Sequence, residues 1–341
     1  MKSLFRRGLL WICLGCPVLF PASAVQAADV GYRQEMNVIF DDSLAPGVFL
    51  DFFIPTGKPN GLAVIDVVSG AWHAEEQQLN EHKLLGIYSY FCTHGYVVMA
   101  VRPGSVERHT VASMIRNLEQ AIRYTKAHAA TLHIDPERIG IMGVSAGGHL
   151  ALLAALNPKS GSSTNILATT SPNARYSTAV KAAGAFFPPT DFIDWRGGEP
   201  PPAPPPQPVP ANRRGSRFVQ ATPSPSTPTN MVQFQAMLGP MLFPGGTAGH
   251  SDEDIRTQTM AISPLHQIHG PPALPIFLIH GDADPLVPLN HSQRLVDAIK
   301  AAGGEAKLLV KKGGTHPWFP LGDEIQVLIA WFDQKLALPT K

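Results

Sequence analysis

The sequence has few cysteines, little net charge and no metal-ligand motif, and so lacks features that mark several large classes of protein. Only three of its 341 residues are cysteine, and the charges nearly balance, with 27 Lys and Arg against 26 Asp and Glu. A nucleic-acid-binding domain would be strongly basic, so we predict no nucleic-acid partner. The histidines show no H-E-x-x-H or comparable spacing, and we therefore predict no metal site.

Long apolar runs are also scarce, and the candidate for a signal sequence or a membrane span lies at the N-terminus. A short basic segment precedes an apolar run at residues 8–20, and small residues follow up to Ala27. This order is typical of a secretory signal peptide, and the run is shorter than the roughly 20 residues that span a bilayer. We predict a signal peptide at 1–27 and a mature domain at 28–341 that is secreted or periplasmic, without stable membrane insertion.

The predicted cleavage determines how many cysteines the mature protein keeps. Cleavage would remove Cys13 and Cys16 and leave Cys92, so an intramolecular disulfide would be impossible. Cys92 lies at the end of a predicted helix before an apolar strand. We therefore expect a buried packing thiol and not a nucleophile.

The most informative feature that is present is a G-x-S-x-G motif at residues 143–147. An apolar strand leads into it and a helix rich in alanine and leucine follows, which is the context of a nucleophile elbow. Ser145 must sit on a tight turn with its hydroxyl exposed, and side chains at 143 and 147 would crowd that turn. The helix N-terminus would add unpaired N–H groups beside the place where an oxyanion forms.

A serine nucleophile needs a base and an acid, and candidates follow in the order that this context requires. A buried-type strand is followed by a loop with Asp282 and Asp284, and a later strand is followed by a loop with His316. Each candidate lies beyond the carboxyl end of a predicted strand, where open α/β sheets form their active sites. The residues alone leave the choice between the two aspartates open.

Three segments carry a resemblance to a known superfamily. They are G-V-S-A-G-G at 143–148, H-G-D-A-D-P-L-V-P at 280–288 and G-G-T-H at 313–316. Over about residues 48–336 the chain resembles α/β-hydrolases. The most similar branch is small bacterial esterases of the feruloyl and acetyl-xylan esterase type, which grade into hormone-sensitive-lipase-like carboxylesterases and prolyl oligopeptidase catalytic domains.

The resemblance implies a catalytic triad and a reaction. Ser145 would be the nucleophile, His316 the base and Asp284 the acid, while Asp282 would tighten its own loop. The implied reaction is hydrolysis of carboxylic esters of short to medium acyl chains through an acyl-enzyme. It needs no cofactor, and the implied partner is a small-molecule or polysaccharide-linked ester.

The loop after the third strand departs from the superfamily's pattern. There it often reads H-G-G-x-W, and its backbone N–H groups supply half of the oxyanion hole. Here Val-Ser at 68–69 replaces the histidine and the first glycine, while Gly70 and Trp72 stay in register. The implied oxyanion donors are the N–H groups of Gly70 or Ala71 together with that of Ala146.

Aromatic residues accompany the predicted site. Trp72 ends the oxyanion loop and Trp318 follows the proposed base, so both are candidates for lining a substrate cleft, with plain packing as the alternative. His149, just after the elbow glycines, is expected on the helix near the pocket.

Alternating strand and helix patterns predict a single α/β domain. The resemblance implies that this domain has the α/β-hydrolase fold, a mostly parallel eight-stranded sheet flanked by helices. Early strands without helices between them predict an antiparallel start. Residues 110–130 show the one-sided apolar spacing of a helix that packs on the sheet. The predicted strands are residues 37–40, 48–54, 62–68, 96–101, 138–142, 180–187, 274–279 and 306–310.

A proline-rich insertion interrupts this pattern at residues 196–262. Its densest stretches, 200–210 and 223–228, bury too little apolar surface to offset their ordering entropy. Insertions at this point of the fold commonly lie over the active site as a lid; the alternative is a passive surface insertion. Residues 231–243 could form an apolar acyl-binding wall.

Three other functions stay open. A serine peptidase of the prolyl oligopeptidase type would use the same triad, but such enzymes usually carry a large propeller for which this chain has no room. An acyltransferase would use identical residues and an acceptor other than water. A non-catalytic binding protein is suggested only by the 68–69 pair, and an intact triad argues against it.

Overall fold

The computed structural model describes residues 31–40, 47–161, 173–197 and 231–338. The predicted signal peptide and the proline-dense stretches of the insertion lie outside these ranges, so the lid prediction stays a prediction. Within the described ranges, none of the helices combines the length and the apolar character needed to cross a bilayer.

Eight strands form one sheet in the order β1-β2-β4-β3-β5-β6-β7-β8. The first three in this order pair antiparallel, and all pairings from β4-β3 onward are parallel, which confirms the predicted antiparallel start. The strands are β1 Tyr32–Val38, β2 Phe49–Pro55, β3 Ala63–Val67, β4 Val97–Arg102, β5 Ile139–Val144, β6 Ala182–Phe186, β7 Ile276–Gly281 and β8 Ala306–Lys311.

Helices cover both faces of the sheet, each over its own apolar layer. The layer on one face includes side chains from α3, α4 and α7, and the layer on the other includes α1, α2 and α8. The helices are α1 Glu76–Leu84, α2 Ile87–Thr93, α3 Val111–Ala127, α4 Ala146–Leu156, α5 Met231–Leu242, α6 Asp252–Ala261, α7 Asn290–Ala301 and α8 Gly322–Leu336.

Local sequence explains α3 but not β1. In α3, Thr110 Oγ1 accepts a hydrogen bond from the Ser113 N–H and caps the helix. The predicted apolar stripe of α3 is buried, including Met114 and Leu118. The prediction for the first strand was wrong in its bounds, because β1 is an edge strand with mostly polar side chains. Its pairing with β2, not an apolar pattern, defines it.

Cys92 packs as expected at the end of α2. Its side chain is buried, and Sγ lies 3.5 Å from the carbonyl oxygen of Phe53. Burial raises the pKa of the thiol to about 12, so the thiolate is not populated at neutral pH. The cysteine therefore belongs to the core.

Candidate active site

The nucleophile elbow is a strained turn between β5 and α4. Ser145 has φ 53° and ψ −119°, a conformation that residues with a Cβ rarely adopt. The turn is tight because its glycines admit close contacts. A Cβ at Gly143 would lie 2.3 Å from the carbonyl carbon of Gly147, and a Cβ at Gly147 would lie 2.0 Å from the carbonyl oxygen of Val67. The two glycines of the motif are therefore required by backbone contacts.

We expect Gly147→Ala to destabilise the protein and to impair any activity of Ser145. The new methyl would displace the backbone at Val67, where the oxyanion loop begins, and overpacking of this kind costs roughly 1–3 kcal/mol or more. Gly148→Ala is the matched control, because its Cβ would meet its nearest atom, the carbonyl oxygen of Gly143, at 3.0 Å. Urea unfolding of both variants checks the ranking, and a Gly148 variant as unstable as the Gly147 variant would contradict it.

The three residues predicted for the triad come together at the carboxyl edge of the sheet. Ser145 Oγ donates to His316 Nε2 at 2.8 Å, and His316 Nδ1 donates to Asp284 Oδ2 at 2.6 Å. They follow β5, β8 and β7, so three separate loops meet at one point. The His316 side chain is 9% exposed and the Asp284 side chain is fully buried.

The Asp284 carboxylate is buried but well supplied with hydrogen bonds. Its Oδ1 accepts from the N–H groups of Leu286 and Val287, at 2.8 and 3.0 Å. Burial by itself raises the pKa of Asp284, but hydrogen bonds from His280, His316 and the Val287 N–H outweigh it and hold the pKa well below its ordinary value. Asp284 therefore stays anionic beside the imidazole.

Asp282 lies in the same loop but points elsewhere. Its Oδ1 accepts from the Gly313 N–H at 2.6 Å, and its own N–H donates to the Lys311 carbonyl at 3.0 Å. These bonds join the loop after β7 to the end of β8 and the loop that follows it, whereas the expectation was that Asp282 tightens its own loop.

His280 belongs to the site and was not among the predicted residues. It is fully buried at the end of β7, and its Nε2 donates to the Val287 carbonyl at 2.9 Å with Asp284 Oδ2 at 3.4 Å. Its Nδ1 accepts from Ser292 Oγ at 2.8 Å. In the sequence, the only indication of this role is that His280 lies four residues before Asp284, which is a weak signal. His280 was considered there only as a metal ligand, so this spacing was overlooked.

Phe187 is a second residue that the sequence did not single out. It has a positive φ of 36°, and its ring centroid lies 4.4 Å from that of His316. Its N–H donates to the Ile279 carbonyl of β7 at 2.7 Å. The strand β6 ends at Phe186, one residue before the predicted strand end. The strained backbone places an aromatic ring against the imidazole.

The oxyanion loop distinguishes its two candidate donors, Gly70 and Ala71. The Gly70 N–H donates to the His73 carbonyl at 2.9 Å, and the His73 N–H donates back at the same distance. This bridge closes the loop and engages the Gly70 N–H, which favours Ala71, the other predicted donor of this loop. Ala71, with φ 47°, and Ala146, at the first position of α4, are left as candidates. The first N–H groups of a helix have no intrahelical acceptor.

Both tryptophans are buried, which favours the packing alternative over a role in lining a cleft. Trp72 is 4% exposed and Trp318 is 7% exposed. The Trp72 indole N–H donates to His149 Nδ1 at 3.0 Å, and that of Trp318 to Glu324 Oε2 at 3.2 Å. Trp318 also packs against Phe187, with ring centroids 5.4 Å apart. Each tryptophan therefore packs beneath a loop of the site and holds that loop in place.

Residues 50–299 match the family described as BD-FAE. The chain belongs to the BD-FAE family. The esterase LipQ of Mycobacterium tuberculosis (strain ATCC 25618 / H37Rv) is 25% identical over 263 residues, which cover 77% of this chain and 51% of LipQ. The chain spans about half or less of the length of the first curated relatives it matches.

Two solved structures share the fold of this BD-FAE chain. A truncated carbohydrate esterase from gut microbiota has a TM-score of 0.67 at 22% identity, with 91% of this chain and 98% of that chain covered. Butyrate-bound esterase Est2 of Thermogutta terrifontis has a TM-score of 0.58 at 21% identity, with 91% and 97% covered. The predicted α/β-hydrolase fold is confirmed.

Proposed function

We propose that this BD-FAE protein is a serine hydrolase that cleaves carboxylic esters through an acyl-enzyme. The observation that carries the proposal is the continuous series of hydrogen bonds from Ser145 through His316 to Asp284. A hydroxyl is a weak nucleophile unless a base takes its proton, and the imidazole acceptor lies within reach. The buried carboxylate fixes the tautomer that leaves Nε2 free to accept.

The proposed reaction has two halves. As His316 Nε2 takes the proton of Ser145, Oγ attacks the ester carbonyl carbon and a tetrahedral intermediate forms. His316 then gives this proton to the leaving oxygen as the ester C–O bond breaks, so the alcohol departs and Ser145 remains acylated. In the second half His316 takes a proton from a water molecule that attacks the acyl carbon. It gives this proton to Ser145 Oγ as the acyl C–Oγ bond breaks, and the carboxylic acid is released. Asp284 stabilises the imidazolium in both halves.

The tetrahedral oxyanion would be held by backbone donors at the N-terminus of α4. The Ala146 N–H lies at the positive end of the helix dipole, next to the nucleophile. The Ala71 N–H is the proposed second donor, now that the Gly70 N–H is engaged with His73. This arrangement uses main-chain groups alone, so the Val-Ser pair at 68–69 is compatible with an oxyanion hole.

For the substrate we propose esters of short to medium acyl chains, free or attached to a polysaccharide. The support is by analogy. One structural neighbour is named as a carbohydrate esterase, and another was solved with butyrate bound.

Hydrolysis of a series of p-nitrophenyl esters, from acetate through butyrate and octanoate to palmitate, tests this function. We expect turnover that depends on Ser145 and falls as the acyl chain lengthens, with Ser145→Ala as the background control. Turnover that rises toward palmitate would contradict the acyl-length proposal. A lack of turnover on every ester would contradict ester hydrolysis itself, and peptide substrates would then be assayed.

A further inference from the structure

His149 is a fully buried residue of α4 that the catalytic scheme does not use. Trp72 Nε1 donates to His149 Nδ1 at 3.0 Å, and His149 Nε2 lies 2.7 Å from the carbonyl oxygen of Ile262. Since a carbonyl oxygen only accepts, Nε2 carries the proton and the ring is neutral. The His149 side chain therefore links the oxyanion loop to Ile262, the residue that follows α6.

The loop that His149 contacts has a strained backbone. Ala71 and Trp72 have φ values of 47° and 61°, in a region that costs free energy for any residue with a Cβ. Such a conformation persists only where its surroundings fix it. The Trp72 carbonyl accepts from the Val106 N–H at 2.9 Å, and the Trp72 ring packs edge-on against His149 and Phe192. The indole side chain is thus one of the anchors of this loop.

The environment of His149 keeps its ring in the state that this contact requires. Burial lowers the pKa of His149 to about 4, although the hydrogen bond to Ile262 opposes the shift. At neutral pH Nδ1 is therefore unprotonated and accepts the indole N–H. In a protonated ring Nδ1 would carry a hydrogen, so it could not accept the hydrogen bond of the Trp72 indole N–H.

We propose that His149 is a positioning residue of the oxyanion hole, acting through Trp72 on the Ala71 N–H. The proposal rests on the proposed function. His149 and Ala146 lie on the same helix, so the contact with Trp72 ties both halves of the hole to one rigid element. Because the oxyanion exists only in the transition state, loss of the contact should slow the chemical step more than it weakens substrate binding.

Substitutions of Trp72 and His149 test the donor and the acceptor of this hydrogen bond separately. Trp72→Phe removes the donor, and His149→Gln keeps an amide donor toward Ile262 but loses the acceptor at Nδ1. We expect each to lower kcat on p-nitrophenyl acetate about 10- to 100-fold, less than the loss of a whole oxyanion donor, with KM within about twofold. His149→Asn places an acceptor near Nδ1 and should recover part of the loss. The double variant should be little worse than either single variant.

A second measurement does not depend on ester turnover. The rate at which a fluorophosphonate labels Ser145 also depends on charge held in this hole, and it should fall with kcat in the Trp72 and His149 variants. Trp331→Phe is the matched control, because this indole is buried on α8 against Phe277 and should leave labelling unchanged. Circular dichroism establishes the folded fraction of each variant.

The outcomes distinguish the two proposals. Labelling within twofold of wild type for Trp72→Phe and His149→Gln would overturn the role of His149, and so would a loss fully explained by unfolding. If the wild type is labelled but hydrolyses no ester, the proposed function fails while the labelling rates still decide the role of His149. A wild type that is not labelled would overturn both.

Discussion

Replacing Ser145 by alanine is expected to reduce kcat for ester hydrolysis by roughly 10⁵- to 10⁶-fold, as removal of the nucleophile does in a well-studied serine protease. The alanine methyl cannot attack the carbonyl, so only water and the oxyanion donors would remain to accelerate the reaction. The fold should persist, because alanine has the same backbone requirement as serine at φ 53°. Initial rates on p-nitrophenyl acetate and thermal unfolding measure the two effects separately.

His316→Ala should give a loss of comparable size, and the double variant should lose no more than the worse single one. Residues that act as a unit show this lack of additivity, because either change already disables the proton transfer and attack. Ser177→Ala is a suitable control, since its Oγ accepts from the Ala179 N–H in the loop before β6, at the opposite edge of the sheet. More than about 1% residual activity in Ser145→Ala, or additive losses in the double variant, would contradict the proposed nucleophile and base.

Much of the architecture follows from local sequence patterns, and the reason is physical. The strands β3 to β7 are buried along their lengths, so they read as mostly apolar runs. The elbow glycines are visible because the turn between β5 and α4 leaves no room for a side chain. The edge strand β1 carries neither signal and was therefore misplaced.

The supporting contacts of the site could not be predicted in this way. Trp72 and His149 are 77 residues apart, and no periodic pattern links an indole N–H to an imidazole. The Gly70 N–H is engaged because the loop folds back on His73, which depends on backbone geometry and not on residue type. Sequence motifs therefore identify groups with chemical roles, whereas the contacts that aim those groups become visible only in three dimensions.

The choice between the two aspartates is where geometry adds most to the sequence. Asp284→Asn should lower kcat about 10⁴-fold, the effect of the corresponding change in a well-characterised triad. The amide is neutral and has one acceptor oxygen, whereas Asp284 receives hydrogen bonds on both oxygens, from two loop N–H groups on one side and from His316 on the other. An asparagine would either lose the loop contacts or turn its NH₂ group toward His316 Nδ1 and favour the wrong tautomer.

Asp282→Asn is the matched control, because it makes the same chemical change two residues away. The Asp282 carboxylate accepts from the Gly313 N–H, and an amide oxygen can accept the same bond. We expect kcat within about tenfold of wild type and at most a modest loss of thermal stability. Parallel measurements of kcat and KM with one ester give the ranking of the two variants.

A reversed ranking would assign the acid to Asp282, and equal losses would mean that the link between the loops after β7 and β8 matters as much as the carboxylate on His316. The predicted separation of roughly three powers of ten is large enough for a single assay to decide.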